Sequence, residues 1–215
     1  MSGESLAPAM RRIREEQVIA VVRADSPQAA VDAASALAEG GVRAVEITFT
    51  TPEATRAIER LRDRDELFVG AGTVRTVPQA EAAIGAGAEF LVSPGLSFDV
   101  LAVARREAVA AIPGALTPTE VDAASEWSQV IKLFPASVGG PSYLRALSGP
   151  FPDLRLIPTG GVSVSNLGEW RGAGAFALGA GSDLCPPAAI AAGDFAELTR
   201  RAGAYRAALD RKAAG

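Results

Sequence analysis

Residues 18–48 have the sequence VIAVVRADSPQAAVDAASALAEGGVRAVEIT, and this stretch decides the fold that we expect. A run of β-branched and apolar residues comes first, an alanine-rich segment follows, and a second apolar run ends the stretch. Short runs of the first kind are typical of β-strands, whereas the long alanine-rich segment is typical of a helix. The stretch therefore predicts a β-α-β unit, in which the two strands are parallel.

The same unit recurs along the whole chain. Eight apolar runs are separated by alanine-rich segments, and these runs are Val18–Arg23, Ala44–Thr48, Leu67–Gly70, Phe90–Ser93, Val109–Pro113, Gln129–Phe134, Leu154–Pro158 and Phe176–Gly179. Eight βα units in 215 residues fit a compact α/β fold, the (β/α)8 or TIM barrel. A doubly wound open sheet is the alternative, but it usually has fewer units. We expect one (β/α)8 barrel domain over residues 1–215, with an extra N-terminal helix before Val18.

The starts of four predicted helices share a chemical pattern, in which a hydroxyl residue comes just before a proline. These starts are Ser26-Pro27, Thr51-Pro52, Thr76-Val77-Pro78 and Thr117-Pro118. A hydroxyl oxygen accepts a hydrogen bond from a free N–H group at a helix start, and proline suits the first helical turn. Thr76 with Gln79, and Thr117 with Glu120, also have the spacing of capping boxes.

The composition excludes several kinds of chemistry. The chain has one cysteine and no histidine, and 21 basic residues stand against 25 acidic ones. Without histidine, Ser-His-Asp and Cys-His catalysis and nearly every zinc site are excluded, so we expect no metal. The single thiol, Cys185, excludes an intrachain disulfide and a multi-cysteine metal cluster. The net charge of −4 argues against nucleic acid and anionic membranes as partners.

Signal peptides and membrane helices are both recognised by a continuous apolar segment. The sequence MSGESLAPAMRR at the N-terminus lacks the apolar core of a signal peptide. No run approaches the 18 or so apolar residues that a membrane helix needs. We therefore expect a cytoplasmic protein.

Lysine is rare in this chain, which contains only Lys132 and Lys212. Strand alternation places Lys132 on the same face as Val130 and Phe134. A buried ammonium is costly unless its pKa falls or an anion lies close by, and a neutral amine is what Schiff-base formation requires. The alternative is a lysine whose ammonium reaches the end of the strand or forms a structural ion pair. Lys212 lies in a polar C-terminal tail, where we expect it to be solvated.

Glu46 is the most interesting carboxylate of the chain. It alternates with Val45 and Ile47, so its side chain is expected to point into the barrel. In a chain without histidine, a carboxylate is the obvious group for proton transfer. The alternative is a structural salt bridge between Glu46 and Lys132.

Active sites of (β/α)8 barrels lie at the carboxyl ends of the strands. Glycine-rich segments follow the seventh and eighth predicted strands, namely Thr159-Gly160-Gly161 and Gly179-Ala180-Gly181-Ser182. Loops at these positions bind phosphate in many barrels, although such glycines can also serve only as turns. Neither Gly70-Ala71-Gly72 nor the last segment has the third glycine of a dinucleotide fingerprint, so a nicotinamide cofactor is not expected.

Arg23 ends the first predicted strand, and Thr73 follows the third. A guanidinium group beside a hydroxyl suits a substrate carboxylate, because the guanidinium can donate two parallel hydrogen bonds. The alternative is an ordinary solvated arginine at a strand end.

Six motifs, in chain order, resemble those of the 2-keto-3-deoxy-6-phosphogluconate (KDPG) aldolase family. That family includes 4-hydroxy-2-oxoglutarate (KHG) and 2-keto-3-deoxy-6-phosphogalactonate aldolases. The resemblance extends from about residue 12 to the C-terminus, and its motifs are Val45-Glu46-Ile47-Thr48, Val69-Gly70-Ala71-Gly72-Thr73-Val74, Val92-Ser93-Pro94-Gly95, Ile131-Lys132-Leu133-Phe134-Pro135, Pro158-Thr159-Gly160-Gly161-Val162 and Gly181-Ser182.

The resemblance implies a metal-independent class I aldolase with a (β/α)8 fold, no cofactor and a homotrimeric assembly. The implied substrates are pyruvate and a 2-keto-3-deoxy sugar acid phosphate, as in Entner–Doudoroff carbohydrate metabolism. Lys132 would form a Schiff base with pyruvate, and Glu46 would be the general acid and base. From KDPG, the products would be pyruvate and glyceraldehyde 3-phosphate.

The resemblance also implies the binding residues. Thr73 and the loop at Pro94 would hold the pyruvyl portion of the substrate. The phosphate would be bound by Gly160, Gly161 and Ser182.

The sequence departs from the family pattern at a position that binds the substrate carboxylate in several members. Several family members have an arginine shortly after the glutamate of the second strand, but here the stretch is Thr48-Phe49-Thr50-Thr51. We therefore assign the carboxylate to Arg23, which ends the first strand. The preferred sugar acid stays open between KDPG, its galactonate isomer and KHG. A non-catalytic phosphosugar-binding barrel is the alternative of a different class.

Overall fold

The structure, a computed structural model, describes residues 7–211 as alternating strands and helices. The strands are β1 (Val18–Val22), β2 (Ala44–Thr48), β3 (Phe68–Gly72), β4 (Phe90–Val92), β5 (Ala110–Ile112), β6 (Gly114–Ala115), β7 (Val130–Leu133), β8 (Arg155–Pro158) and β9 (Leu178–Ala180). The helices are α1 (Pro8–Glu16), α2 (Pro27–Glu39), α3 (Ala54–Leu61), α4 (Val77–Gly85), α5 (Phe98–Arg106), α6 (Pro118–Ser125), α7 (Gly140–Ser148), α8 (Leu167–Gly172), α9 (Pro187–Ala192) and α10 (Phe195–Asp210), with a short 3-10 helix at Ala136–Val138.

The strand ladders are parallel, as the β-α-β pattern predicts. A six-stranded sheet has the order β5-β4-β3-β2-β1-β9, and a three-stranded sheet has the order β6-β7-β8. The two sheets meet at Pro113, which separates β5 from β6 and accepts a hydrogen bond from the Lys132 N–H group at 2.9 Å. They also meet where Thr159 pairs with Gly179 in an isolated parallel bridge. The result is an α/β fold in which the parallel sheet is curled.

Each of the eight predicted runs overlaps at least one strand. The fifth run, Val109–Pro113, contains β5 and ends at its proline, and a further short strand that was not predicted, β6, follows directly at Gly114. The third strand is longer than predicted and continues to Gly72 rather than ending at Gly70.

The two faces of the curled sheet contribute to separate clusters of buried residues. Val45 and Ile47 belong to the larger cluster, which lies between the sheet and the helices. The smaller cluster contains the alternate strand residues and two residues of α1; its members are Met10, Ile13, Ile19, Ala44, Phe68, Phe90, Val92, Ile112, Val130, Ile157 and Ala177. The predicted N-terminal helix is therefore confirmed, and it packs against the inner face of the sheet.

Three of the predicted helix starts are confirmed. The hydroxyl groups of Ser26, Thr76 and Thr117 accept hydrogen bonds from N–H groups three residues later. Thr117 and Glu120 form a reciprocal capping box.

The remaining predictions about helix starts need correction. Gln79 does not complete a box with Thr76, because its side-chain oxygen accepts from the N–H group of Arg75 instead, at 2.8 Å. Thr51 is not a cap either, since α3 begins at Ala54. Its hydroxyl oxygen accepts a hydrogen bond at 3.1 Å from the N–H group of Ala24, just beyond β1. Thr51 therefore connects two strand ends rather than starting a helix.

Across residues 7–211, none of the helices combines the length and the apolar character needed to cross a bilayer.

Candidate active site

Lys132 and Glu46 face each other from strands β7 and β2. The Nζ atom of Lys132 lies 3.7 Å from Oε1 of Glu46, and the side chains are 9% and 3% exposed. Their strand neighbours Val130 and Ala44 belong to the inner cluster, so the predicted alternation is confirmed for both residues. The structure thus brings together the two residues that the sequence singled out for chemistry.

The environment of Glu46 makes its carboxylate a good proton acceptor. Burial raises the pKa of Glu46, while the nearby charges of Lys132 and Arg23 act in the opposite direction. Oε1 is buried and has no hydrogen-bond partner among the described residues. A buried carboxylate with a raised pKa beside an amine is suited to taking up and returning a proton.

Gly72 makes room for the carboxylate of Glu46. It pairs with Thr48 in the β2–β3 ladder, two residues beyond Glu46. A Cβ atom at Gly72 would lie 2.7 Å from Oε1 and 2.9 Å from Cδ of Glu46. Any side chain at Gly72 would therefore displace the carboxylate of Glu46, which the sequence alone did not reveal.

Thr73 and Pro94 each adjoin a glycine that neighbours one member of the pair. Thr73 follows Gly72 directly and adopts a left-handed backbone conformation with φ of 58°. Gly114 is the ladder partner of Lys132, and a Cβ atom at Gly114 would collide with the carbonyl group of Pro94. The loop at Pro94 therefore packs against the strand residue that neighbours Lys132.

Arg23 is held in place by two threonines of the stretch that lacks the family arginine. Its Nε atom donates a hydrogen bond to the hydroxyl oxygen of Thr50 at 2.7 Å. The hydroxyl groups of Thr50 and Thr48 are hydrogen-bonded at 2.8 Å. Arg23 itself is exposed, and its charge lowers the pKa of the buried Glu46, opposing the larger effect of burial. The role of Thr50 was missed, since it depends on a contact between two separate strand ends.

The glycine-rich segments after β8 and β9 lie next to each other, because Thr159 pairs with Gly179. Gly160 and Gly161 have φ values of 90° and 80°, which glycine adopts at little cost. Gly161 is further held by a hydrogen bond from the side-chain amide of Asn166 to its carbonyl oxygen, at 2.8 Å. Ser182 is exposed on the adjacent segment. The three residues predicted to bind phosphate therefore lie on two neighbouring loops.

Cys185 is buried and lies near enough to Glu46 to be affected by its charge. Burial raises the pKa of its thiol to about 12, and the Glu46 charge adds to the effect. Both effects favour the protonated thiol over the thiolate that would be needed for a nucleophile.

Residues 7–211 contain no group of three or more His, Cys, Asp or Glu side chains that could hold a metal ion. Lys212 lies outside the described residues.

Known proteins resemble this chain over most of its length. The family model described as KDPG and KHG aldolase matches residues 10–201. The chain belongs to the KDPG and KHG aldolase family. Among curated members of this family, the 2-dehydro-3-deoxy-phosphogluconate aldolase of Treponema pallidum is 41% identical over 194 residues, which cover 89% of this chain and 91% of the relative. The KHG/KDPG aldolase of Escherichia coli K12 is 36% identical, covering 86% of this chain and 88% of the relative.

A solved structure of this family shows what a relative can bind. The KDPG aldolase of Legionella pneumophila, with pyruvate captured as a covalent carbinolamine intermediate, has a TM-score of 0.86 and 30% identity to this chain. The match covers 93% of this chain and 98% of that protein. The family that the sequence motifs predicted is thus confirmed.

Proposed function

We propose that this chain is a class I pyruvate aldolase that cleaves KDPG to pyruvate and glyceraldehyde 3-phosphate through a Schiff base on Lys132. The observation that carries the proposal is the buried pair of Lys132 and Glu46, whose reacting atoms are 3.7 Å apart. The relatives named above for the same reaction support it.

The Schiff base supplies the electron sink. The neutral amine of Lys132 attacks the C2 carbonyl of the substrate to give a carbinolamine, and loss of water gives an iminium ion. A base then removes the proton from the C4 hydroxyl group, the C3–C4 bond breaks, and its electrons move toward the iminium nitrogen. The aldehyde leaves and an enamine remains. Protonation of C3 restores the imine, and water releases pyruvate and the free amine.

Glu46 carries the protons in this scheme. It accepts a proton while the carbon–carbon bond breaks, and it returns one when the enamine is protonated. Its buried, hydrogen-bond-free oxygen next to the amine supports both roles. The same carboxyl group assists the loss of water from the carbinolamine.

The substrate would lie between two sets of binding groups. Arg23 would hold the carboxylate, with Thr73 and the loop at Pro94 against the rest of the pyruvyl portion. The N–H groups of Gly160 and Gly161 and the hydroxyl group of Ser182 would bind the phosphate, as loops at these strand ends do in many barrels.

The architecture that we propose is a closed (β/α)8 barrel. β5 and β6 would together form one strand interrupted at Pro113, and the Thr159–Gly179 bridge would close the ring between β8 and β9. We further propose that residues 1–215 form one domain, that the enzyme is cytoplasmic, and that it is a homotrimer. Sedimentation equilibrium tests the assembly, and a monomer at micromolar concentration would contradict it.

A second candidate reaction is the cleavage of 2-keto-3-deoxy-6-phosphogalactonate. It is favoured by the probable 2-dehydro-3-deoxy-6-phosphogalactonate aldolase of Rhizobium meliloti, which is 36% identical over 200 residues and covers 91% of this chain. The two substrates differ in configuration at one carbon, and KHG lacks the phosphate. Coupled assays with all three substrates compare their kcat/KM values.

Reductive trapping tests the central claim. Pyruvate with borohydride should add one pyruvyl-derived group to the intact chain, and Lys132→Ala should abolish the addition. Lys212→Ala is the matched control and should be labelled like the wild type. Labelling at Lys212, continued labelling of Lys132→Ala, or an unchanged mass of the wild type would contradict the proposal. The last result is the one expected of a non-catalytic phosphosugar-binding barrel.

A further inference from the structure

The carboxylate of Asp183 connects the two loops that follow β8 and β9. Asp183 comes directly after Ser182 in the β9 loop. Its Oδ2 atom accepts a hydrogen bond from the N–H group of Val164, which lies in the β8 loop, at 3.2 Å. One side chain therefore joins the loop that carries Gly160 and Gly161 to the loop that carries Ser182.

Helix α10 holds this carboxylate from the core side. The hydroxyl group of Tyr205 donates a hydrogen bond to Oδ2 of Asp183 at 2.7 Å. Tyr205 is fully buried, and its oxygen also lies 3.4 Å from the carbonyl oxygen of Val162 in the β8 loop. Arg201, on the same helix, donates to the backbone carbonyl oxygen of Asp183. Both loops thus have a common support in α10.

The position of a carboxylate next to a phosphate-binding loop needs a physical reason, because two anions repel each other. Here Oδ2 of Asp183 receives two hydrogen bonds, one from a backbone N–H group and one from Tyr205. Hydrogen bonds to an ionised acceptor are about twice as strong as those between neutral groups. A carboxylate therefore joins the loops more firmly than a neutral side chain would, and this benefit opposes the repulsion.

We propose that Asp183 is a positioning residue, which sets the distance between the N–H groups of Gly160 and Gly161 and the hydroxyl group of Ser182 so that they bind one phosphate together. This inference rests on the proposed function, in which the substrate carries a phosphate. Asp183 itself does not touch the substrate. Its effect is confined to the phosphate end, because the contacts above involve neither Lys132 nor Glu46.

The experiment compares how tightly the full-length enzyme binds the phosphate end and the pyruvyl end of the substrate. Asp183→Ala should raise the KM for KDPG and the inhibition constant of inorganic phosphate by about tenfold, because a displaced binding group loses its alignment. The pyruvate concentration that half-saturates borohydride trapping should stay the same, since pyruvate has no phosphate. Asp183→Asn retains an acceptor oxygen for Val164 and Tyr205, and should keep both phosphate-dependent values within about threefold of wild type.

Two further variants make the result decisive. Tyr205→Phe keeps the buried ring but removes the hydroxyl group, so it should change the KM for KDPG in the same direction as Asp183→Ala. Asp63→Ala is the matched control, because this carboxylate is 85% exposed and precedes β3, at the opposite end of the strands. It should behave like the wild type.

The possible results separate this inference from the proposed function. If the wild type neither traps pyruvate nor cleaves KDPG, the proposed function fails. If it does both, but Asp183→Ala leaves the KM for KDPG unchanged or weakens pyruvate trapping equally, the positioning role is wrong. If Asp183→Ala does not fold, Tyr205→Phe decides by the same comparison.

Discussion

The Nζ atom of Lys132 and Oε1 of Glu46 are 3.7 Å apart, although both side chains are more than nine-tenths buried. The proposed reaction needs an amine without its extra proton and a carboxyl group that can carry a proton, and this distance places the two groups side by side. Nucleophilic attack needs a neutral amine, and burial raises the pKa of Glu46, which favours its neutral form. In the proposed reaction, Glu46 would accept the proton that the Lys132 amine gives up before it attacks, and would hold that proton for a later step.

Replacing Glu46 by glutamine should separate binding from turnover. Glutamine keeps the shape of the side chain but cannot exchange a proton, so kcat should fall by about 10²–10⁴-fold. The pyruvate concentration that half-saturates borohydride trapping should change much less. Steady-state kinetics and equilibrium trapping measure the two effects. Glu59→Gln, on the exposed side of α3, is the control, and a kcat of Glu46→Gln close to wild type would rule out the acid-base role.

The raised pKa of Glu46 gives a pH dependence with a definite sign. Bond cleavage needs the ionised carboxylate, which is lost as the pH falls through the pKa of Glu46. Because burial raises this pKa above the usual 4.5, kcat should decline at a higher pH than an ordinary glutamate would cause. The measurement is kcat for KDPG from about pH 4 to pH 8. A flat profile down to the ordinary value, or a limb that persists in Glu46→Gln, would show that another group is responsible.

Gly72→Ala tests the space that the carboxylate occupies. The new Cβ atom would lie 2.7 Å from Oε1 of Glu46, so the carboxylate must move away from its position beside Lys132. We expect kcat to fall by about 100-fold, as misplacement by 1 Å can do. Gly85→Ala is the matched control, because nothing lies within 4 Å of a Cβ atom there. If both variants had wild-type kcat, the close packing of Gly72 against Glu46 would have no catalytic consequence.

Much of this site was predictable from strand alternation. The apolar neighbours of Glu46 and Lys132 are enough to place both side chains on the inner face, and the structure confirms it. The distance between them was not predictable, since it depends on how strands β2 and β7 are arranged across the curled sheet. The same holds for the link between Asp183 and Tyr205, which depends on how α10 packs against the β9 loop.

Predictions from short sequence patterns were wrong where a residue made a tertiary contact instead of the local one that its pattern predicts. Thr51 has the pattern of a helix cap, but its hydroxyl oxygen accepts a hydrogen bond from the N–H group of Ala24. Pro113 ends the fifth predicted run, but a further strand, β6, follows it directly and pairs with β7. In both cases the residue type was informative, and only its partner in the fold decided the outcome.

The reciprocal capping box at α6 gives a prediction about stability. The hydroxyl oxygen of Thr117 accepts from the N–H group of Glu120, and the carboxylate of Glu120 accepts from the N–H group of Thr117. Thr117→Ala should lower the free energy of unfolding by about 1 kcal/mol. Urea denaturation measures the change, and the exposed Thr119→Ala, inside the same helix, is the control. Equal stabilities of the two variants would contradict a role for the cap.

The hydrogen bond between Arg23 and Thr50 can be tested by substitutions at both residues. Arg23→Lys keeps the positive charge but loses the Nε hydrogen bond to Thr50 and the forked geometry, so the KM for the keto acid should rise while the pH limb of kcat stays in place. Arg23→Gln removes the charge as well. Because that charge lowers the pKa of Glu46, its loss should move the acid limb of kcat to higher pH.

Thr50→Val completes this test. It removes the hydroxyl group that accepts from Arg23 but leaves the guanidinium charge, so it should resemble Arg23→Lys in KM rather than Arg23→Gln in pH profile. Arg43→Lys, an exposed arginine just before β2, is the control for a general effect of surface charge. If Arg23→Lys and Thr50→Val both kept the wild-type KM, the carboxylate would have to be held elsewhere. A shifted pH limb in Arg23→Gln would then assign Arg23 a purely electrostatic role toward Glu46.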